Sequence, residues 1–198
     1  MPRHKATRTE KIVAVAAEVF EANGYRNTTI DDICQAAGIS RPTIYNYIES
    51  KPWLLKQMVA MATDELTVEL RKVLDTPSSP AEKLRALVRL HIESATRNRI
   101  YYATVLSELS ELPDDARRSY REWSRKVTYD FARLIDEHLD SQGLERRMET
   151  GVLANLILTT FTSLYRWYDP SGPTTPNELA KDMLVLLSGA LPGLDQPE

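Results

Sequence analysis

Residues 37–51, AGISRPTIYNYIESK, concentrate side chains whose chemistry suits recognition of DNA bases. The forked guanidinium of Arg41 fits guanine O6 and N7, and the Asn46 amide fits adenine in the same way. The Thr43 methyl group or the Pro42 ring can pack on the methyl group of thymine. The residues predicted to face a major groove are Arg41, Pro42, Thr43, Asn46 and Tyr47.

A second group of residues lies at predicted helix ends, where proteins commonly hold phosphates. Hydroxyl groups, free backbone N–H groups and a lysine ammonium are suitable phosphate ligands. Ser40, which is predicted to cap the second helix of this region, is counted with the DNA-binding residues. The predicted backbone contacts are Thr28, Thr29, Ser40, Tyr45 and Lys51.

The spacing of small and apolar residues predicts a helix–turn–helix that would present these side chains. Cys34 is small, Gly38 is suited to a turn, and Ile44 is apolar, at offsets of four and six. In such a unit the exposed face of the second helix can enter a major groove. The residues expected to complete the small core are Ile30, Ile33, Ile39 and Ile48.

Apolar periodicity is helical along nearly the whole chain, and the alternation typical of strands does not occur. We therefore predict an all-α fold of about nine helices, with a DNA-binding domain at 1–50 and a ligand-binding and dimerisation domain at 51–198. The helix at 51–75 links the two. The predicted helices are 9–23, 29–37, 40–47, 51–75, 80–97, 99–112, 114–142, 149–168 and 177–191.

Composition argues against several other classes of protein. The single cysteine among 198 residues excludes an internal disulfide and favours a reducing cytoplasm. Neither a signal peptide nor a membrane span is expected. His4, His91 and His138 lack metal-ligand spacing and no catalytic motif occurs, so we predict no enzyme activity, metal or cofactor.

Charge is distributed unevenly along the chain. The net charge is −3, yet residues 1–51 hold seven Lys and Arg against six Asp and Glu. The remaining residues hold eighteen against twenty-two. This mild asymmetry is compatible with a cationic DNA-binding part attached to an acidic body.

Positions 18–55, EVFEANGYRNTTIDDICQAAGISRPTIYNYIESKPWLL, resemble the TetR family of bacterial transcriptional repressors. The resemblance implies a cytoplasmic, nucleoid-associated homodimer that binds a palindromic double-stranded operator and responds to a small molecule. Pro42 departs from the commonest family pattern, so another member's operator cannot be assumed. The matching residues are Phe20, Gly24, Tyr25, Thr28, Thr29, Asp31, Asp32, Ala37, Gly38, Ile39, Ser40, Thr43, Tyr45, Tyr47 and Lys51.

The last two predicted helices, at about 149–168 and 177–191, carry apolar stripes wider than one amphipathic helix needs. The family resemblance implies that two chains pair through these helices, and four such helices can close a bundle. The alternative is that the stripes serve the core of one chain.

Aromatic residues in the middle of the chain could line an effector cavity, although such stripes more often form a core. Arg166 stands among aromatics and could meet a carboxylate or phosphate of a ligand, or a neighbouring acid. Residues 166–189 also resemble repressors of lipid and steroid breakdown that respond to acyl-CoA. The candidate ligand-binding residues are Tyr101, Tyr102, Val105, Leu109, Trp123, Val127, Phe131, Phe161 and Arg166.

Two alternatives remain open at the level of sequence. A regulator of drug efflux would sense lipophilic cations, and its pocket would use Glu108, Glu111 or Asp130. A helical interaction protein would keep the helix–turn–helix without specific DNA binding.

Overall fold

The computed structural model describes residues 3–196, with side chains described from Thr7 onward. The side chains of Arg3, His4 and Lys5 lie outside the described part. All regular structure within 3–196 is helical, which confirms the all-α prediction. The helices are α1 (Arg3–Asn23), α2 (Ile30–Ala37), α3 (Arg41–Ile44), α4 (Lys51–Asp75), α5 (Pro80–Arg97), α6 (Arg99–Ser107), α7 (Asp114–Ser141), α8 (Thr150–Thr162) and α9 (Pro176–Ser188).

Three of these helices begin with a capping box, in which an N-cap hydroxyl and an acidic side chain three residues later satisfy each other's backbone N–H groups. The pairs are Thr29–Asp32 for α2, Ser79–Glu82 for α5 and Thr175–Glu178 for α9. Hydrogen bonds from the cap lower the pKa of each of these acids. Helix α2 is followed by Gly38 as its C-cap, whose left-handed φ of +63° strongly favours glycine.

Several helices differ in length from the sequence-based expectation. Helix α1 already begins at Arg3, and α3 ends at Ile44 with a turn that continues to Tyr47. Helix α8 gives way at Thr162 to a 3₁₀ turn, Ser163–Arg166. The Thr162 and Ser163 hydroxyls donate to backbone carbonyls three residues earlier, and such local bonds compete with regular helix.

The chain forms two compact units whose boundary differs from the predicted division at residue 50. Unit one combines the described part of residues 1–63 with Ile100–Tyr120. Its core joins α1, the helix–turn–helix, the start of α4 and the segment 100–120. The fully buried residues of this core include Ala16, Phe20, Ile33, Ile44, Leu54, Leu55, Met58 and Leu112.

Unit two combines Asp64–Arg99 with the described part of residues 121–198, and in it α5 packs against α9. Arg85 is buried there, and its guanidinium donates to the carbonyl oxygens of Gly193 at 2.8 Å and Leu194 at 3.1 Å. These bonds satisfy a buried cation and hold the turn that follows α9. No helix among the described residues is long and apolar enough to cross a membrane.

His91 lies in α5 and is buried in unit two between two phenylalanine rings. Its ring stacks on Phe161 and meets Phe131 edge-on, with centroid distances of 5.5 and 6.0 Å. Nδ1 lies 2.8 Å from the Leu87 carbonyl oxygen, whereas Nε2 has no hydrogen-bond partner in the described protein. Burial lowers the pKa of His91 from its usual 6.5 to about 4, so the ring is neutral at pH 7.

We predict that His91 alone lowers the free energy of unfolding by about 2 kcal/mol between pH 7 and pH 5. The unfolded chain binds a proton near the usual pKa of 6.5, whereas folded His91 does so only near 4. Its contribution to stability is therefore present above pH 6.5 and is lost as the pH falls towards 4. Urea denaturation of the wild type and His91→Gln at both pH values measures the difference.

In His91→Gln the free energy of unfolding should fall by about 2 kcal/mol less between pH 7 and pH 5 than in the wild type, whatever the stability of the variant at pH 7. His91→Phe provides a second non-titrating side chain if glutamine packs poorly. An identical pH dependence in the wild type and both variants would show that His91 does not titrate in this way.

Candidate nucleic-acid interface and effector region

The reading helix, defined as α3 with the residues that follow it to Ile48, has two distinct faces. Ile44 and Ile48 are buried in the core of unit one. Thr43 and Tyr47 are half-buried at the edge. The residues on its exposed face are Arg41, Pro42, Tyr45 and Asn46. Arg41, Pro42 and Asn46 are exposed as predicted, whereas Thr43 and Tyr47, which were also expected to face a groove, are partly covered by the protein.

Arg41 is held on the exposed face by groups from two helices. Its Nη1 donates to Asp31 Oδ2 at 2.7 Å. A hydrogen bond with the Tyr45 side chain, followed by the charge of Asp31, raises the pKa of Arg41 above its usual range. The guanidinium is therefore paired with the first turn of α2.

The hydroxyl groups near the start of the reading helix bond to one another. Ser40 occupies the N-cap position with extended backbone, and its carbonyl oxygen accepts the N–H groups of Thr43 and Ile44. Its hydroxyl lies 2.7 Å from the Thr43 hydroxyl and makes no capping bond to the backbone. This hydroxyl pair is exposed at the point where a helix N-terminus can face a phosphate.

Tyr47 combines packing with a cationic neighbour. Its ring packs against the core of unit one. The Arg8 guanidinium carbon lies 5.2 Å from the centre of that ring, which is cation–π geometry. Arg8 thus brings a positive charge from α1 to the edge of the reading helix, which the sequence analysis did not identify.

Thr28 faces inward, contrary to the expectation of a phosphate contact. Its side chain is buried, and its hydroxyl donates to the Gly24 carbonyl oxygen at 2.9 Å. A threonine hydroxyl in a tight loop can donate a hydrogen bond to a nearby backbone carbonyl group. The spacing of residues in the sequence does not reveal such a bond. Thr28 therefore supports the loop before α2, whereas Thr29 caps α2 and is exposed.

Lys51 also forms hydrogen bonds with the loop before α2, although the sequence predicted that it would bind a phosphate. Its ammonium donates to the carbonyl oxygens of Tyr25 at 2.7 Å and Thr28 at 3.0 Å. It also lies 4.3 Å from the centre of the Tyr25 ring. Burial, followed by the charges of Glu111 and Glu108, raises the pKa of Tyr25 to about 12, so this ring stays neutral.

Four of the predicted ligand-binding residues belong to unit one. Val105 is a buried member of its core, and Tyr101 and Leu109 pack against that core. Tyr102 is half-buried. Burial raises the pKa of Tyr101, which keeps its phenol protonated. These four residues therefore contribute packing beside the helix–turn–helix.

The other five predicted ligand-binding residues belong to unit two. Phe131 and Phe161 are buried against His91. Trp123 is half-buried and donates from Nε1 to the Thr67 hydroxyl at 2.8 Å. Arg166 is exposed, with Nε donating to the Tyr165 hydroxyl at 3.0 Å, rather than on the apolar side of a helix. Val127 is half-buried.

A groove of about 500 Å³ runs along α7 and the beginning of α8 in unit two. Arg125 and Arg133 bring positive charge to it, and Asp136 and Glu149 bring negative charge. None of the predicted ligand-binding residues lines this groove. Its mixed charge gives no preference for a ligand of one sign.

The three carboxylates expected for a cation-sensing pocket have basic partners. Arg26 lies 3.9 Å from Glu108 and 3.0 Å from Glu111, and Lys126 donates to Asp130 at 2.6 Å. These acids are thus already paired with cations. Within the described residues, no group of His, Cys, Asp and Glu could hold a metal ion.

Comparison with known sequence families covers both parts of the chain. Residues 12–58 match the family described as bacterial regulatory proteins, tetR family. Residues 77–191 match the tetracyclin repressor-like C-terminal domain. The HTH-type transcriptional repressor KstR2 of Mycolicibacterium smegmatis is 25% identical over 194 residues, which cover 96% of this chain and 93% of that protein.

Solved structures of transcriptional regulators have the same fold. The ketosteroid transcriptional regulator KstR2 of Mycobacterium tuberculosis superposes with a TM-score of 0.85 at 21% identity, over 92% of this chain and 93% of that one. AibR in complex with isovaleryl coenzyme A and operator DNA superposes with a TM-score of 0.79 at 25% identity, over 93% and 98%. TetR regulators bind operator DNA as dimers. The chain belongs to the TetR family of bacterial regulatory proteins, and it is a DNA-binding transcriptional regulator rather than an enzyme.

Proposed function

We propose that this protein is a repressor that binds a palindromic operator as a homodimer and releases it on binding an acyl-CoA. Its site of action is the bacterial nucleoid in the cytoplasm. The observation that carries the DNA-binding part is the reading helix, whose polar face is exposed because Ile44 and Ile48 are buried beneath it. Binding of an acyl-CoA is supported by AibR, which is similar in fold and was solved with isovaleryl coenzyme A and operator DNA together, whereas release of the operator rests on the family resemblance.

The proposed DNA contacts follow from the exposure of each side chain. Arg41, Pro42 and Asn46 are exposed and are proposed to reach base edges, with Thr43 and Tyr47 at the margin of the groove. The proposed backbone contacts are Thr29, Ser40 and Tyr45. Thr28 and Lys51 are left out because protein carbonyl groups already engage them.

We predict that Asn46→Ala lowers affinity for the operator by about tenfold to a hundredfold, since a bidentate base contact contributes about 1–3 kcal/mol. Asn46 is exposed, so the fold should be unaffected. Electrophoretic mobility shift with a duplex selected from random sequence by the wild type measures the effect. Gln142→Ala, which removes another exposed amide, is the matched control. Unchanged retention of the operator by Asn46→Ala would argue against this reading face.

The proposed dimer interface lies on α8 and α9. Four large apolar side chains on these helices are each more than half exposed, namely Val152, Leu156, Val185 and Leu186. Exposed apolar side chains of this kind are typical of an association surface. A second copy of the same chain would cover it and, with a two-fold axis, complete a four-helix bundle.

We predict that Leu186→Glu converts the dimer into a monomer, because a carboxylate would be buried without a partner at the interface. Sedimentation velocity at micromolar concentration distinguishes the two states. Val68→Glu is the matched control, since Val68 is a similarly exposed apolar residue on α4. Loss of the dimer in both variants, or in neither, would contradict an interface on α8 and α9.

The proposed effector binds to the helical body and must prefer the conformation that cannot hold the operator. Arg166 is proposed to contact an anionic group of the ligand, since its guanidinium is exposed and has the Tyr165 hydroxyl as a neighbour. The aromatic residues of unit two, Trp123, Phe131 and Phe161, are proposed to lie nearer the acyl chain. Val127 of the same unit completes this set, whereas Tyr101, Tyr102, Val105 and Leu109 are left out because they pack in unit one.

We predict that an acyl-CoA at a hundred times its Kd stabilises the protein by about 2.7 kcal/mol and releases the operator. Thermal unfolding with acyl-CoA esters of graded chain length, matched free acids, CoA itself and a cationic dye identifies the effector class. Arg166→Gln should weaken binding of the ester, whereas Arg118→Gln, another exposed arginine, should not. If no CoA ester shifts the transition, the acyl-CoA proposal fails, and a shift by the dye alone would favour cation sensing.

A further inference from the structure

Two neighbouring carboxylates in the first turn of α2 have different partners. Asp32 Oδ2 accepts hydrogen bonds from the backbone N–H of Thr29 at 2.7 Å and from its hydroxyl at 2.8 Å. Asp31 Oδ2 accepts instead from Arg41 Nη1, at 2.7 Å, across the turn to the reading helix. The capping box of α2 is therefore made by Asp32, and it does not account for the position of Asp31.

The geometry at Arg41 leaves most of its hydrogen-bonding capacity free. A guanidinium has five N–H donors in a planar fork, and Asp31 takes one of those on Nη1. This contact orients the fork, while further N–H groups are left to bond to a base edge.

We propose that Asp31 is a positioning residue for base recognition, which holds Arg41 towards a base edge and away from the phosphate backbone. The inference rests on the proposed DNA contact of Arg41. Arg41 is the first residue of α3, and the first residues of a recognition helix contact bases in helix–turn–helix complexes. In a nonspecific complex Arg41 would have to leave Asp31 to reach a phosphate, and the freed carboxylate would then face a polyanion.

The ion pair therefore disfavours nonspecific DNA more than the operator. In the operator complex Arg41 stays paired with Asp31 while its remaining N–H donors bond to a base, so the ion pair is retained. In the nonspecific complex the pair is broken. The side chains of Arg41 and Asp31 are 58% and 61% exposed, and pairs exposed to this degree change an equilibrium constant by about two- to fivefold.

The test compares the wild type and Asp31→Asn on two duplexes of equal length. One is the operator selected from random sequence by the wild type, and the other has the same base composition in shuffled order. We expect Asp31→Asn to lower the ratio of operator to nonspecific affinity by about threefold. The slope of log K against log salt for the shuffled duplex should steepen by about 0.9, which corresponds to one added phosphate contact.

Glu49→Gln is the charge-matched control, because it removes an exposed carboxylate from the same unit. It should change neither the ratio nor the salt slope. Asp31→Ser, which suits the beginning of a helix, replaces Asp31→Asn if the amide perturbs folding. Repeating the measurement in an Arg41→Gln background completes a double-mutant cycle, and there the effect of Asp31→Asn should vanish.

The outcomes separate this inference from the proposed function. An unchanged ratio for Asp31→Asn, an equal change with Glu49→Gln, or a persistent effect in the Arg41→Gln background would each overturn the positioning role alone. A wild type that selects no duplex from random sequence would overturn the DNA-reading proposal and this inference together.

Discussion

Burial of Ile44 and Ile48 is the constraint on which the reading surface depends. Helix α3 has four residues, and an isolated helix of that length is not stable in water. Its conformation is imposed by Ser40, whose carbonyl oxygen accepts the first N–H groups, and by the two isoleucines that enter the core. Once these side chains face inward, Arg41 and Asn46 face outward. The direction of the polar residues is thus set by apolar neighbours.

The loop before α2 shows how polar groups secure the same core. Lys51 is the first residue of α4, where the helix dipole disfavours a cation. The carbonyl groups of Tyr25 and Thr28 compensate by accepting its N–H groups, and the Tyr25 carbonyl also accepts the backbone N–H of Thr28. The loop and the beginning of α4 are consequently held together. A lysine that looks like a phosphate ligand in sequence is a structural element of the DNA-binding unit.

Burial of apolar side chains could be predicted well from the sequence. Which polar side chains already form hydrogen bonds within the protein could be predicted less well. The spacing of Cys34, Gly38 and Ile44 depends on helical periodicity and on a positive φ, both of which are local properties. The inward turn of Thr28 and the exposure of Arg166 depend on loop backbone and on where α8 ends. The inclusion of 100–120 in unit one depends on contacts between residues distant in sequence, which periodicity does not encode.

Two helices contribute residues to both units, and this continuity bears on regulation. Helix α4 belongs to unit one through Thr63 and α7 through Tyr120, and each continues into unit two. Neither contains glycine, and the one proline, Pro52, lies in the first turn of α4. Sharp bends in helices occur at proline, glycine or similar breaks, and neither helix has a proline or glycine at Thr63 or Tyr120, where it passes from one unit to the other. In the proposed mechanism the effector must bind more tightly the conformation that cannot hold the operator, because only that difference in affinity can shift the equilibrium away from DNA binding.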